Sequence, residues 1–267
     1  MKAEREHVEP RLHDEVARIE KIINSPDLRA LRTRDHARPQ AAVRPRNAAT
    51  IMLVDGKGPN ARVLMGRRNR SLAFMPGALV FPGGSVDRAD SIVPPADALD
   101  PATEAKILSA LRGKPTQRRA RAIGMAAVRE LGEESGLLIG KPGALASAHP
   151  DWEEFRRENI VPCISGLVLF ARAITPPGPS RRFDTWFFTA HADEIAYRPP
   201  GGLLPSGELE ELQWLTPREA IEGPTREITR VMLVELMRWL DVDPALDPSF
   251  PVPFYFARRS RFRKTTI

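Results

Sequence analysis

The sequence predicts an α/β fold built as one large domain, because short apolar runs typical of strands alternate with longer amphipathic segments typical of helices. An apolar run at 48–54 ends at the turn signal Asp55-Gly56, and a second run follows at 62–67, so the two predict a β-hairpin. A helical pattern then covers 118–131, with one apolar stripe made of Ile123, Ala126, Ala127 and Leu131. With 267 residues and 42% hydrophobic content, the chain can bury a core of ordinary size.

Shorter signals predict the remaining elements of the domain. A third apolar run at 78–81 stops at Pro82-Gly83-Gly84, where the backbone is freest and the side chains are smallest. The proline-containing segment 88–116, with a short helical stretch at 102–111, is expected to be an insertion packed on the surface. Further strands are predicted at 163–174, 183–190 and 209–215, and further helices from Pro217 and over 225–240.

The two ends of the chain are predicted to lie outside this domain, which we place at 47–242. Residues 1–46 are rich in charge, and their apolar positions recur at helical spacing, which predicts a helical arm. These apolar positions are Leu12, Val16, Ile19, Ile22 and Ile23. Residues 243–267 are predicted to be a basic tail.

Charge and cysteine usage narrow the class of partner. The 40 Lys and Arg residues exceed the 34 Asp and Glu residues, and the net charge of +6 would steer phosphorylated ligands toward the protein. Nucleic acid is not the expected partner, because the basic residues are scattered and no nucleic-acid-binding motif accompanies them. The single cysteine, Cys163, fits a reducing compartment. No membrane-spanning or signal segment is recognised, so we expect a cytoplasmic protein that binds a small molecule, with a homodimer left open.

The most informative segment is the acidic run around Glu130, Glu133 and Glu134. On a helix these positions stand at i, i+3 and i+4, so three carboxylates share one face and repel one another unless a cation lies among them. Oxygen ligands of this kind suit Mg²⁺ or Mn²⁺, and Arg129 could brace one carboxylate through a forked hydrogen bond. The alternative is a solvated helix face on which Arg129 makes a local ion pair.

The run Arg129-Glu-Leu-Gly-Glu-Glu-Ser-Gly-Leu137 resembles the latter half of the Nudix box, whose pattern is G-x5-E-x7-R-E-U-x-E-E-x-G-U with U aliphatic. The former half is similar to Gly84-Ser-Val-Asp-Arg-Ala-Asp90, preceded by Phe81-Pro82-Gly83. Asp90 stands where the pattern has Glu, and Gly84 and Arg129 are 45 positions apart where the pattern has 14, so an insertion at about 88–117 divides the box. A surface loop of this length closes at modest entropic cost.

The resemblance implies an α/β/α sandwich with a mixed sheet and hydrolysis of a diphosphate linkage in a nucleoside diphosphate derivative. Carried over to matching positions, Glu133 and Glu134 would be the main Mg²⁺ or Mn²⁺ ligands, and Glu130 would be a further ligand or a water-orienting group. Arg129 would be the brace, and Gly84 would contribute its backbone carbonyl. The divided box, with the basic run 67–71, resembles the coenzyme A and acyl-coenzyme A diphosphatase subgroup.

The general base and the substrate contacts are less specified. Relatives often draw the base from outside the box; the local candidates are Glu208, Glu210 and Glu211, of which we select Glu211. Arg67, Arg68 and Arg70 are candidate phosphate ligands and Phe81 a candidate substrate contact, although a basic loop can also be merely solvated. Two other functions stay open: an ADP-ribose or nucleotide-sugar pyrophosphatase, and a Nudix-fold nucleotide sensor without activity.

Overall fold

The computed structural model describes residue 17 and residues 43–72, 75–177, 181–258 and 261–267. The helix predicted at 12–23 lies outside the described residues, apart from Ala17. The strands are β1 Arg46–Asp55, β2 Arg62–Arg68, β3 Leu79–Val80, β4 Gly83–Ser85, β5 Leu138–Pro142, β6 Ile160–Pro162, β7 Val168–Ile174, β8 Phe183–His191, β9 Ile195–Tyr197, β10 Leu209–Leu215, β11 Pro253–Arg258 and β12 Arg261–Thr266. The α-helices are α1 Pro101–Ala110, α2 Gln117–Ser135, α3 Glu153–Arg157, α4 Pro217–Glu222 and α5 Glu227–Val242.

A large mixed sheet forms the middle layer of the protein. Its strands run in the order β10-β2-β1-β8-β7-β11-β12, with β3 paired to β2 and β4 paired to β1. The β1–β8 and β7–β11 pairs are parallel, whereas the other pairs of this sheet are antiparallel. Strands β6, β5 and β9 form a smaller sheet. The predicted hairpin of β1 and β2 is confirmed.

Helices cover both faces of the large sheet, and β1 shows this directly. Its Ile51 and Leu53 side chains join the core cluster that includes α2, whereas Met52 and Val54 join the cluster that includes α5. A strand buried on both faces is apolar along its whole length, which explains the run at 48–54. The predicted α/β/α sandwich with a mixed sheet is therefore confirmed. Within the described part of the chain, no helix combines the length and apolar character needed to cross a membrane.

The segment between the two halves of the acidic motif contributes apolar side chains to the core, a contribution that the prediction of an insertion packed on the surface did not include. Val93, Leu99, Ile107 and Leu111 are buried in the cluster that includes α2. The helix expected in this segment is confirmed as α1, with Asp100 as its N-cap. The sequence did not predict the burial of these four residues, because the prolines of the segment interrupt the periodicity from which an apolar face is recognised.

The same segment shortens one predicted strand. The strand expected over 163–174 begins only at Val168, because the chain turns at 164–167. Asp97 holds this turn: Oδ1 accepts a hydrogen bond from the Ile164 amide at 2.7 Å, and Oδ2 accepts one from Ser165 Oγ at 2.7 Å. A contact across 67 positions of sequence thus ends the strand, and no local signal encodes it.

The segment 243–267 was predicted as a basic tail, but it contributes β11 and β12 to the sheet. Lys106 of α1 donates to the carbonyls of Pro248 and Phe250 at 2.5 Å each and so holds the approach to β11. The buried Arg172 of β7 lies over the Phe254 ring, with 4.7 Å between the guanidinium carbon and the ring centroid. The basic side chains that suggested a tail suit an edge strand, where charge discourages pairing with other chains.

The buried position of α1 generates a stability prediction. Replacing the fully buried Ile107 by alanine should lower the free energy of unfolding by about 3 kcal/mol, because it removes apolar contacts and leaves a cavity. Urea denaturation followed by circular dichroism measures the change. The matched control is Ala105→Ser on the exposed side of α1, which should change stability little. Equal, small effects of both substitutions would contradict the placement of this segment in the core.

Candidate active site

Helix α2 carries the acidic residues in its last two turns. It begins at the N-cap Thr116, whose hydroxyl accepts from the Arg119 amide, and it ends at Gly136, which has φ 74°. Glycine adopts this left-handed conformation at no steric cost and terminates helices for that reason. Within these last turns Glu134 is buried, Glu130 is largely buried, and Glu133 is 38% exposed at its side chain.

Arg129 joins the acidic helix to the glycine turn. Its Nε donates to Asp90 Oδ1 at 2.8 Å, and its Nη2 donates to the Ser85 carbonyl at 2.9 Å. Its Nη1 donates both to Glu130 Oε1 at 2.9 Å and to Glu133 Oε2 at 3.0 Å. The guanidinium is only 3% exposed, so its charge is compensated by these neighbours rather than by water. Arg129 therefore contacts two of the three glutamates as well as the glycine turn, and its role as the brace of a metal site stays a prediction.

Asp90 is the buried partner of Arg129, which the resemblance did not assign. It lies in a single turn of 3₁₀ helix, Ala89–Ser91, and its Oδ2 accepts from the Asp87 amide at 2.7 Å. Burial raises the pKa of Asp90, and the hydrogen bond and charge of Arg129 act in the opposite direction. Because both oxygens of the fully buried carboxylate are engaged, Asp90 anchors the arginine and is not placed among the candidate metal ligands.

Gly84 lies directly against the Glu130 carboxylate. Strand β4 pairs with β1 so that Gly84 is opposite Ala49, on the sheet face that α2 covers. A Cβ at position 84 would overlap the carboxylate of Glu130, so only glycine allows this approach. Burial raises the pKa of Glu130 to about 7, while the nearby Arg129 charge opposes the shift. The carboxylate would therefore gain from a second cation.

Glu134 is the most deeply buried of the three glutamates. Its Oε2 accepts a hydrogen bond from the Gly83 amide at 2.8 Å, which ties the end of α2 to the glycine turn. Burial raises the pKa of Glu134 to about 8; the Gly83 hydrogen bond opposes the shift and the charge of Glu130 adds to it. Arg68 and Glu208 also act on this pKa, with opposite signs.

The donor chemistry fits a hard divalent cation, although the ligands are not gathered into a ready-made cage. Among the residues described, no three His, Cys, Asp or Glu side chains form a metal-binding group, and Glu130 and Glu133 instead both accept hydrogen bonds from Nη1 of Arg129. Burial holds the carboxylates of Glu130 and Glu134 at raised pKa values, and a bound cation would compensate both. Carboxylate oxygens are the ligands that Mg²⁺ and Mn²⁺ prefer.

The basic residues at the end of β2 pair with the acidic residues before and within β10. Arg67 Nε lies 2.5 Å from Glu211 Oε2, and Arg68 Nη2 lies 3.4 Å from Glu208 Oε2. Asn69 Nδ2 donates to Glu210 Oε1 at 2.7 Å, and Arg70 is exposed. Glu211 thus holds the guanidinium of Arg67, and this pairing argues against Glu211 as the general base.

Phe81 is a core residue. Its side chain is 5% exposed and belongs to the hydrophobic cluster that includes α5. Phe81 therefore seats the glycine turn on the core, and its contact with substrate stays a prediction. The sequence signal was the apolar run at 78–81, in which the last residue continues the strand-like pattern.

The chain was compared with family models, with curated proteins and with solved structures. No family model matches the chain. A Caenorhabditis elegans protein that carries the name nudix hydrolase 7 is 31% identical over 189 residues, which cover 66% of this chain and 53% of that protein, so this chain spans about half the length of that relative. The crystal structure of a Nudix hydrolase from Alicyclobacillus acidocaldarius matches 76% of this chain and 94% of its own, with a TM-score of 0.54 and 23% identity, which shows a shared fold.

The buried ion pair of the site generates a second stability prediction. Asp90→Asn should lower the free energy of unfolding by about 3 kcal/mol, because it leaves the Arg129 charge buried with one partner removed. The matched control is Asp87→Asn, since the Asp87 carboxylate is 59% exposed and lies 3.9 Å from Arg129. Chemical denaturation of both variants tests the difference, and equal losses would refute the anchoring role of Asp90.

Proposed function

We propose that this chain is a Nudix hydrolase, a metal-dependent hydrolase of a diphosphate linkage in a nucleoside diphosphate derivative. The observation that carries the proposal is the buried arrangement of Arg129, Glu130 and Glu134 against the glycine turn. A solvated helix face would leave these side chains in water, whereas Glu134 is 4% exposed. Burial of charged groups without a structural need is costly, which favours a functional reason.

In the proposed site, some residues would bind the cation and others orient those ligands. Glu133, Glu134 and Glu130 would hold Mg²⁺ or Mn²⁺, which when bound offsets phosphate charge and activates water. Arg129 fixes the carboxylates of Glu130 and Glu133 through one shared donor, so their spacing does not depend on the cation alone. The amide of Gly83 orients the Glu134 carboxylate, and Gly84 leaves room for Glu130. The Gly84 carbonyl is a further candidate ligand.

For the substrate, we propose coenzyme A or an acyl-coenzyme A, on the resemblance of the divided motif to that subgroup. The expected products are 3′,5′-ADP and a phosphopantetheine. An ADP-ribose or nucleotide-sugar pyrophosphatase is the alternative that keeps the same site. A nucleotide sensor without activity is disfavoured, because a binder does not need three acidic side chains at a buried glycine turn.

The proposed setting follows from the charge and cysteine usage already described. The partner is a small nucleotide-type molecule, steered by the net charge of +6, and the proposed location is the cytoplasm. The basic residues do not form a nucleic-acid motif, so nucleic acid is not proposed as a partner. The oligomeric state stays open, a homodimer included.

The metal site can be tested by removing one ligand charge. Glu133→Gln should lower Mg²⁺- or Mn²⁺-dependent hydrolysis by about 100-fold or more, the scale of losing one electrostatic stabiliser. Released phosphomonoester is measured on coenzyme A esters, ADP-ribose and nucleotide sugars. Mn²⁺ affinity, measured by electron paramagnetic resonance, should fall as well. Glu222→Gln on α4 is the control, since Glu222 is exposed and far from the acidic run in sequence.

Two results would count against the proposal. Equal activity of the wild type and Glu133→Gln across the whole substrate panel would favour the sensor. Hydrolysis of ADP-ribose or nucleotide sugars without any turnover of coenzyme A esters would reject the substrate assignment and keep the enzyme.

A further inference from the structure

The charged side chains at the β2–β10 edge divide between the two faces of the sheet. Successive residues of a strand point to opposite faces. In β2, Leu64 joins the core cluster that includes α2, whereas Met65 joins the cluster that includes α5. Continuing this alternation places Arg68 on the α2 face and Arg67 on the α5 face.

The strand pairings support this assignment. Arg67 is opposite Leu79 of β3, and Leu79 belongs to the cluster that includes α5. Arg68 is opposite Leu209 of β10, and Leu209 also lies against Gly66, two residues earlier on the same face as Arg68. Opposite residues of an antiparallel pair share a face, so two neighbouring strands give the same answer.

Glu208 is held beside the end of α2 by the segment that precedes β10. The Leu204 amide donates to the carbonyl of Ser135, the residue after Glu134, at 2.9 Å. Ser206 Oγ then accepts from the amides of Glu208 and Leu209 at 3.2 Å and 2.9 Å, which fixes a tight turn. The segment therefore begins at the end of the acidic helix and delivers Glu208 to Arg68.

Glu211, unlike Glu208, lies in a bulge of β10 and contacts Arg67. The register of β10 shifts between Glu210 and Gln213, and Glu211 lies in this bulge with φ 48°, a conformation that non-glycine residues adopt at a cost. Its carboxylate holds Arg67, whose Nη1 also donates to the Gly77 carbonyl at 3.4 Å. These contacts tie together β10, β2 and the loop before β3 on the α5 face.

We infer that Arg68, positioned by Glu208, binds a phosphate of the nucleoside diphosphate substrate on the acidic face, whereas Arg67 and Glu211 stabilise the sheet edge. This inference rests on the proposed function, since it assigns the substrate contact of that site. A guanidinium suits a diphosphate because its planar fork can donate two hydrogen bonds to one phosphate. Glu208 restricts the guanidinium through an ion pair, so less rotamer freedom is lost on binding.

Neighbouring residues on opposite faces provide a matched experiment. The probe is α,β-methylene-ADP with Mg²⁺, a diphosphate that cannot be cleaved at the bridged position, and calorimetry measures its dissociation constant. Arg68→Lys should weaken binding about tenfold, because lysine cannot replace the planar fork, whereas Arg67→Lys should leave it within about twofold. In the glutamate pair, Glu208→Gln should weaken binding and Glu211→Gln should not.

Three further readouts separate substrate recognition from general damage. The Mn²⁺ affinity of Arg68→Lys should equal that of the wild type, and its thermal unfolding temperature should stay close to the wild-type value. With a substrate that the enzyme hydrolyses, Glu208→Gln should raise KM more than it lowers kcat. Equal binding losses for Arg67→Lys and Arg68→Lys, or no binding of the probe by the wild type, would overturn the inference. The probe could also bind with the predicted dependence on Arg68 while the wild type hydrolyses none of the coenzyme A esters, ADP-ribose and nucleotide sugars. That result would support the phosphate contact and reject the proposed activity.

Discussion

The buried ion pair between Arg129 and Asp90 is the interaction on which the acidic site depends. Arg129 reaches Asp90, the Ser85 carbonyl and two glutamates with one planar group, so it joins the helix to the glycine turn. A buried pair of this kind adds little net stability, but losing one partner is costly. Its value therefore lies in specifying one arrangement of the carboxylates. Burial still raises the pKa values of Glu130 and Glu134, and under the proposed function a divalent cation would compensate both carboxylates.

The same ion pair joins the glycine turn to the acidic helix across the segment that lies between them in sequence. Asp90 lies at the start of the intervening segment and Arg129 follows its end, so their contact brings the two halves together. The segment itself packs as core through Val93, Leu99 and Ile107, and α1 in turn holds the approach to β11. The insertion is therefore a structural bridge from the acidic helix to the last strands. Its length adds only a slowly growing closure entropy, and its buried apolar surface offsets that cost.

The sequence predicted those elements whose formation depends on residues close together in the chain. The β1–β2 hairpin, α1, α2 and the three glutamates were recoverable because each depends on periodicity, a turn signal or a helical spacing within a few residues. Burial of the insertion, the turn held by Asp97 and the pairing of β11 with β7 depend on partners distant in sequence, which a single sequence does not display. The contacts of Glu211 and Phe81 were not predicted for the same reason: their partners, Arg67 and the α5 side of the core, are distant in sequence.

Arg67 and Arg68 are neighbours on β2, but we assign them different roles: Arg67 stabilises the sheet edge and Arg68 binds a phosphate. Arg67 and Arg68 have the same chemistry and the same sequence context, so composition and charge cannot distinguish them. The pleat of the strand does, because it sends one guanidinium toward the acidic helix and the other toward α5. The bulge at Glu211 reinforces the separation: the extra residue holds a carboxylate against Arg67 and restores the alternation of β10, so that Trp214 and Leu215 again face opposite cores. The strained bulge thus keeps the ion pair of Glu211 and Arg67 on the sheet face opposite to the one on which Glu134 lies.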